Sequence, residues 1–298
     1  MRVFVTGASG HIGSLVVREL LDNGHQVTGL ARSDAGAESV RSAGARVVRG
    51  TLDDLDVLAE AAGEADGVIH LAFKHDFTDY AAAGETDLRA VKAMGAALVG
   101  SGKPFIVTSG TAALGVAARG VTATEETEVP ADLPRVASEL ATVALADQEV
   151  RASVIRLAPT VHGITDRKGF IPTLIEHART TGRAIYVGDG ANRWPAVHNL
   201  DAARLYRLAL ESAPAGSRLH GVAEEGIPFR DIAEAIGKRL DVQAVSVTAE
   251  EASAQLGFIG WIASLDSPTS SAITQRVLGW TPQHPTLLED LSDGHYFA

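Results

Sequence analysis

Three glycines near the start of the chain have the spacing of a phosphate-binding turn. The segment TGASGHIG, residues 6–13, follows the apolar run Val3-Phe4-Val5 and opens an amphipathic stretch. Gly7 would make the tight turn, Gly10 would let the backbone approach a pyrophosphate, and Gly13 would let the helix pack on the strand. The N–H groups and the partial positive charge of a helix N-terminus attract a diphosphate. The segment predicts a dinucleotide site formed by Thr6, Gly7, Gly10, His11, Ile12 and Gly13.

The end of the second apolar run indicates which dinucleotide binds. An NAD site usually places an acidic residue there to accept hydrogen bonds from the adenosine ribose. This chain instead has Leu30-Ala31-Arg32-Ser33, with no acid before Asp34. Arg32 can pair with a 2′-phosphate and Ser33 can donate to it, whereas a carboxylate would repel it. NADP is therefore the expected cofactor, with NAD as the alternative if Arg32 is only a solvated surface residue.

Five later segments, together with the glycine pattern and the chain length, resemble the extended and atypical short-chain dehydrogenases/reductases. This is the superfamily of the NAD-dependent epimerases and dehydratases. The segments are GTLD (50–53), HLA (70–72), RLAPTVHG (156–163), VHNLDAA (197–203) and LGWTP (278–282). The resemblance implies that Asp53 holds the adenine and that Leu71, Ala72 and Phe73 line the cofactor. It also implies that Pro159 lies beside the nicotinamide.

The catalytic set of that superfamily, a Ser or Thr plus Tyr-xxx-Lys, is replaced in this sequence. The segment RVASE places Arg135 at the tyrosine position and Glu139 at the lysine position. Gly110 stands at the serine position, with Ser109 and Thr111 on either side of it. The resemblance is thus to the atypical subgroup, which keeps the nucleotide-binding pattern without the usual catalytic residues. Ser109 is expected near the cofactor and Thr111 near the reacting group.

Arg135 and Glu139 are four residues apart, so they share one face of a helix. We expect Glu139 to accept hydrogen bonds from the nicotinamide ribose. Arg135 is expected to bind a carboxylate or polarise a carbonyl of the substrate, since an arginine is a poor proton donor. The alternative is an ordinary ion pair on the helix surface.

Four further residues are candidates for contact with the substrate. His75 follows the fourth apolar run, at the edge where open α/β sheets bind ligands. Because it titrates near neutrality, it is also the expected proton donor. His162 stands where many relatives have a tyrosine, and Arg193 and Trp194 belong to a Gly-rich turn. The alternatives are an exposed loop histidine, a packed core histidine and two loop residues that only hold the lobe together.

Apolar runs alternate with helical patterns up to about residue 157, which indicates βαβ units and a parallel sheet. The runs are almost continuously apolar, as in a sheet covered on both faces. Beyond Pro159, glycine and proline become frequent and the strands become short. We therefore expect an α/β fold. A Rossmann-type doubly wound sheet would span residues 1–160, with a smaller, mainly helical substrate lobe over 161–298, interleaved with the sheet.

Composition excludes several classes of function. The net charge of −11 argues against a nucleic-acid partner, and the absence of cysteine excludes disulfides and thiolate metal sites. The ten histidines show no metal-binding spacing. No signal peptide or membrane-spanning run is recognisable, so a cytoplasmic monomer or homodimer acting on a small molecule is expected.

Three functions fit these observations. The first is an NADP(H)-dependent oxidoreductase that reduces a carbonyl, imine or activated double bond. The second is a nucleotide-sugar epimerase or dehydratase, against which the missing Tyr and Lys argue. The third is a non-catalytic, NADP-binding regulatory protein. The fold alone does not choose among them.

Overall fold

The computed structural model describes residues 1–75, 79–118, 120–131, 133 and 135–298. Within these residues the chain forms a series of strands. They are β1 (Arg2–Thr6), β2 (Gln26–Ala31), β3 (Arg46–Arg49), β4 (Gly67–His70), β5 (Pro104–Gly110), β6 (Arg151–Leu157), β7 (Thr160–His162), β8 (Arg183–Val187), β9 (Arg193–His198), β10 (Arg218–Gly221), β11 (Glu224–Pro228) and β12 (Gln243–Val247).

Helices alternate with the strands in the first half and dominate the second. They are α1 (His11–Asp22), α2 (Asp34–Ser42), α3 (Leu55–Glu64), α4 (Tyr80–Leu98), α5 (Ala112–Ala118), α6 (Val136–Ala144), α7 (Phe170–Thr181), α8 (Asn199–Ser212), α9 (Phe229–Leu240), α10 (Ala249–Leu256), α11 (Phe258–Ile262), α12 (Ala272–Leu278) and α13 (Leu287–Asp293). Short 3₁₀ turns cover Leu145–Gln148 and His295–Phe297.

Seven parallel strands form the central sheet, in the order β10-β6-β5-β4-β1-β2-β3. Successive side chains of a strand point to opposite faces. Accordingly, Val3 and Val5 pack with α1 and α8, while Phe4 packs with α3 and α4. Both faces are buried, which explains the continuous apolar runs and confirms the predicted doubly wound α/β fold.

The smaller lobe contains a three-stranded sheet, β11-β9-β7, a two-stranded sheet, β12-β8, and the helices packed on them. Its core includes Trp194, Phe229 and Leu287, all buried. Two elements from beyond residue 160, α8 and β10, lie in the central sheet layers instead. We therefore keep the division at residue 160 as a proposal in which the second segment contributes to the first domain.

The turn between β1 and α1 brings backbone against backbone. Gly7 has φ +70°, a left-handed conformation that favours glycine, and a Cβ on it would lie 2.8 Å from the amide nitrogen of Ala72. A Cβ on Gly13 would lie 2.0 Å from the carbonyl oxygen of Gly7. The predicted tight turn and the close packing of helix on strand are both present in the structure.

Gly13→Ala should lower the free energy of unfolding by about 1–3 kcal/mol, the usual cost of overpacking, and should weaken dinucleotide binding. Thermal unfolding and cofactor titration measure the two effects. The control is Gly110→Ala, whose new Cβ would meet only the carbonyl oxygen of Leu157, at 3.8 Å. That control should change stability by less than about 0.5 kcal/mol. Equal losses in the two variants would contradict the role assigned to Gly13.

Candidate active site

A buried chain of hydrogen bonds connects the glycine turn to the end of β4. The Thr6 hydroxyl oxygen accepts from the amides of Leu71 (3.2 Å) and Ala72 (3.1 Å), so its own proton goes to His70 Nδ1, at 2.6 Å. His70 is then protonated at Nε2, which donates to Asp87 Oδ1 at 3.2 Å. Burial would raise the pKa of Asp87, but the bond from His70 and the charge of Arg135 lower it overall. The turn and the carboxylate of Asp87 are thus held by one network.

His11 and Ile12 occupy the first turn of α1. His11 Nε2 contacts the carbonyl oxygen of Val161 (2.8 Å) and Nδ1 contacts the hydroxyl of Thr165 (3.0 Å), which ties the glycine turn to the smaller lobe. Ile12 packs against the sheet core. Pro159 is partly buried between β6 and β7. Their predicted contacts with a cofactor stay predictions.

The end of β2 has a second cation beside the predicted one. Arg32 is exposed, and the Ser33 hydroxyl caps α2 by accepting from the amide of Gly36 at 3.2 Å. Arg49, which pairs in register with the last residue of β2, donates to the carbonyl of Ser33 and forms an ion pair with Asp34 at 3.0 Å. Sequence reasoning missed Arg49, although a cation at the end of the neighbouring strand was a usable signal.

Asp53 lies on the surface between two cations. Its carboxylate is 2.8 Å from Lys74 Nζ and 3.4 Å from Arg89 Nη2. The hydrogen bond from Lys74 is the main reason that the pKa of Asp53 is lowered. A role for Asp53 in binding adenine stays a prediction, and Lys74 and Arg89 would share that position.

Arg135 lies beside the carboxyl end of β5, and its predicted contact with a substrate stays a prediction. It precedes α6 with φ +67°, an uncommon conformation for a residue with a side chain. Its Nη2 donates to the carbonyl of Thr108 at 2.6 Å, and the guanidinium covers the Phe73 ring at 4.2 Å. Its buried Nε has no hydrogen-bond partner among the described residues.

Phe73 gathers other side chains around Arg135. The rings of His75 and Tyr80 pack edge-on against it, with ring centroids 5.4 and 5.7 Å from that of Phe73. The ring of Phe258 in α11 packs on Tyr80, with centroids 5.4 Å apart. Partial desolvation and then the charge of Arg135 lower the pKa of His75, which disfavours the protonated imidazole. The role of His75 as proton donor stays a prediction. Tyr80 was not predicted, although a tyrosine that opens the helix after β4 was a recognisable signal.

Glu139 is not positioned as expected. Its side chain is 3% exposed, and its carboxylate binds Arg156 of β6 through two hydrogen bonds and Arg218 of β10 at 2.9 Å. Burial would raise the pKa of Glu139, but Arg156 and then Arg218 lower it overall. Since both oxygens are occupied by arginines, the arrangement does not support a bond to a cofactor ribose. The alternative, a surface ion pair between Glu139 and Arg135, is not formed either, because Glu139 pairs with Arg156 and Arg218.

Ser109, Gly110 and Thr111 lie at the carboxyl end of β5. Ser109 is buried, and Gly110 borders open space. Thr111 donates its amide to the carbonyl of Leu157 at 2.9 Å, and its buried hydroxyl has no partner among the described residues. The predicted roles of Ser109 and Thr111 stay predictions.

Three predicted substrate contacts lie in the protein interior or in internal ion pairs. His162 is fully buried and bonds Asp290 at 2.6 Å through Nδ1. Arg193 forms two hydrogen bonds to Asp266 through its side chain, and Trp194, also fully buried, donates to the carbonyl of Ile262 at 3.3 Å. Full burial corrects the prediction for His162 and Trp194, which hold the smaller lobe together. The side chain of Arg193 is partly exposed, so its contact with a substrate stays a prediction.

The described residues contain neither a candidate metal site nor a candidate membrane span. No group of three or more His, Asp or Glu side chains is placed to hold a metal ion. No helix in the described ranges is both long and apolar enough to cross a bilayer.

Residues 3–220 match the model of the NAD dependent epimerase/dehydratase family. The chain belongs to this family. The match confirms the resemblance drawn from the motifs, and the family is NAD(P)-dependent.

Three relatives illustrate the range of similarity. A Schizosaccharomyces pombe protein described as uncharacterized is 50% identical over 100% of both chains. The 2'-dehydrokanamycin reductase of Streptomyces kanamyceticus is 31% identical, covering 86% of this chain and 72% of its own. The dTDP-glucose 4,6-dehydratase DesIV of Streptomyces venezuelae, crystallised with NAD, has a TM-score of 0.79 at 21% identity, covering 99% of this chain and 96% of its own. At that identity the structural likeness shows the shared fold.

Glu139→Gln should lower the free energy of unfolding by about 3–5 kcal/mol, because it leaves buried arginine charge without its counter-charge. Urea unfolding measures this. The matched control is Glu234→Gln, which breaks an exposed pair with Arg230 (2.7 Å) and should cost about 0.3–0.5 kcal/mol. Similar losses for the two variants would show that Glu139 is not a structural anchor.

Proposed function

We propose that this protein is an NADP(H)-dependent reductase of a small carbonyl compound. The observation that carries the proposal is the placement of Arg135. It stands at the edge of the sheet, held by the carbonyl of Thr108 and the ring of Phe73. A fixed cation at this edge suits a group on which negative charge develops. The similarity to a reductase of a keto compound supports the same chemistry.

The residues present fit a nicotinamide dinucleotide. Gly7 and Gly13 have no room for a Cβ against the neighbouring backbone, so they allow the tight turn of residues 7–13, and the N-terminus of α1 begins there. Arg32, Ser33 and Arg49 would hold the 2′-phosphate of NADP. When bound, the reduced cofactor supplies the hydride.

The chain's own residues bind and orient the carbonyl. Arg135 would donate a hydrogen bond to its oxygen and stabilise the charge that grows there, which accelerates transfer because the guanidinium is already oriented. The buried carboxylate of Asp87 is bonded by His70, and the charge of Arg135 helps to lower its pKa. Glu139 stabilises the helix that begins beside Arg135. We assign it no contact with the reacting groups.

The epimerase and dehydratase alternative has less support. The positions of the family's Tyr and Lys hold Arg135 and Glu139, and Glu139 is committed to two arginines. The non-catalytic alternative is separated by turnover: it predicts tight NADPH binding without oxidation of NADPH by any carbonyl.

Turnover with a panel of β-keto acids, β-keto esters and cyclic ketones tests the proposal. We expect NADPH oxidation with at least one of them. Arg135→Lys should lower kcat/KM about tenfold, since lysine keeps the charge but loses the planar set of donors. The dissociation constant of NADPH should stay within twofold. Arg230→Lys, an exposed arginine beside Tyr186, is the matched control and should change neither value. An unchanged kcat/KM for Arg135→Lys would remove Arg135 from the mechanism.

Cofactor preference is a separate prediction. NADPH should bind about tenfold to a hundredfold more tightly than NADH, the value of one charge-assisted hydrogen bond. Arg32→Ala should abolish most of this preference and leave NADH binding nearly unchanged. Arg41→Ala, an exposed arginine of α2 paired with Glu38, is the control. Equal affinities of the unmodified protein for the two cofactors would rule out the assignment.

A further inference from the structure

Tyr80 and Arg135 come together from different parts of the chain. Tyr80 is the first residue of α4, whose start is capped by the carboxylate of Asp79 accepting from the amide of Ala82 at 3.1 Å. Its ring packs edge-on against Phe73, and the same Phe73 ring carries the guanidinium of Arg135. Phe258 closes the other side of Tyr80 at 5.4 Å. The phenol is thus half-buried and fixed at the carboxyl edge of the sheet.

Charges around the phenol act in opposite directions. Burial raises the pKa of Tyr80, the charge and a hydrogen bond of Arg135 lower it, and the carboxylate of Asp87 raises it. His75 contacts the same Phe73 ring, and burial and Arg135 lower its pKa. Burial has the largest effect on Tyr80, so its pKa is raised overall and the phenol carries its proton at neutral pH, while the cation beside it favours the phenolate.

We propose that Tyr80 is the proton donor of the reduction and that Arg135 takes the part that a lysine has in the usual catalytic set. The inference rests on the proposed reductase function. As the carbonyl carbon accepts a hydride with its electron pair, the π bond breaks and the carbonyl oxygen takes the proton of Tyr80 Oη. The carbonyl becomes an alcohol. Tyr80 is left as a phenolate beside Arg135 and regains a proton from water.

The other tyrosines and the other nearby groups are less suited. The chain has four tyrosines. Tyr206 is fully buried and bonds Thr108 at 2.8 Å, Tyr296 bonds Asp166 at 3.0 Å in the smaller lobe, and Tyr186 lies in β8. Arg135 does not release a proton at physiological pH. Tyr80 is the tyrosine that meets Arg135 at the sheet edge.

Absorbance titration of tyrosine ionisation in the cofactor-free protein gives a readout that needs no substrate. The difference between the unmodified protein and Tyr80→Phe isolates the ionisation of Tyr80. The same difference is then measured in an Arg135→Met background. Removing the cation should raise the pKa of Tyr80 by about 1 unit or more. The control is Tyr186, whose ring centroid lies 5.7 Å from Cζ of Arg230. Its ionisation should not respond to Arg135→Met.

Turnover of the full enzyme is the second readout. Tyr80→Phe should lower kcat about 100-fold or more, the usual effect of removing a general acid. NADPH affinity and thermal stability should stay close to those of the unmodified protein, and Tyr186→Phe should keep full turnover. The proposal is overturned if Tyr80→Phe retains full turnover, or if Arg135→Met leaves the ionisation of Tyr80 unchanged. Failure of the unmodified enzyme to reduce any carbonyl would instead overturn the proposed function, and with it this one.

Discussion

The buried carboxylate of Glu139 is the constraint on which the candidate site depends. It joins α6 to two strands of the sheet, through Arg156 of β6 and Arg218 of β10. Separating such a group from its partners would leave uncompensated charge in the interior, which is costly. Because Arg135 begins the same helix four residues earlier, this ion pair also fixes where its guanidinium lies. Glu139, at the family's lysine position, thus stabilises the packing of α6 on the sheet. Arg135 supplies the positive charge of the candidate site.

Charge balance then links the cofactor turn to Arg135. Two backbone amides donate to the hydroxyl oxygen of Thr6. They set the direction of the hydrogen bonds from Thr6 to His70 and from His70 to Asp87. Asp87 lies at the end of that chain, and the charge of Arg135 helps to lower its pKa. A change at the glycine turn would therefore be transmitted to a buried carboxylate that senses Arg135 through its charge.

Local patterns in the sequence predict the fold and the glycine turn because their causes are local. Strand periodicity, the glycine spacing and the run of apolar residues each depend on neighbours along the chain. The partners of Glu139 could not be predicted from helix phase, since Arg218 is 79 residues away. A buried arginine at position 156 of an apolar strand was nevertheless a signal, because such a charge needs a carboxylate partner. Tyr80 and Arg49 were missed because their roles come from neighbours across strands and helices.

Arg193 and Trp194 show how packing within the smaller lobe can affect the candidate site. Trp194 bonds the carbonyl of Ile262, the last residue of α11, and Arg193 holds Asp266 just beyond it. Phe258 of the same short helix contacts Tyr80. The packing of the smaller lobe therefore determines where one wall of the candidate site stands. A family that keeps its fold while changing its catalytic residues needs such supports, since a displaced phenol or guanidinium loses its function after a shift of about 1 Å.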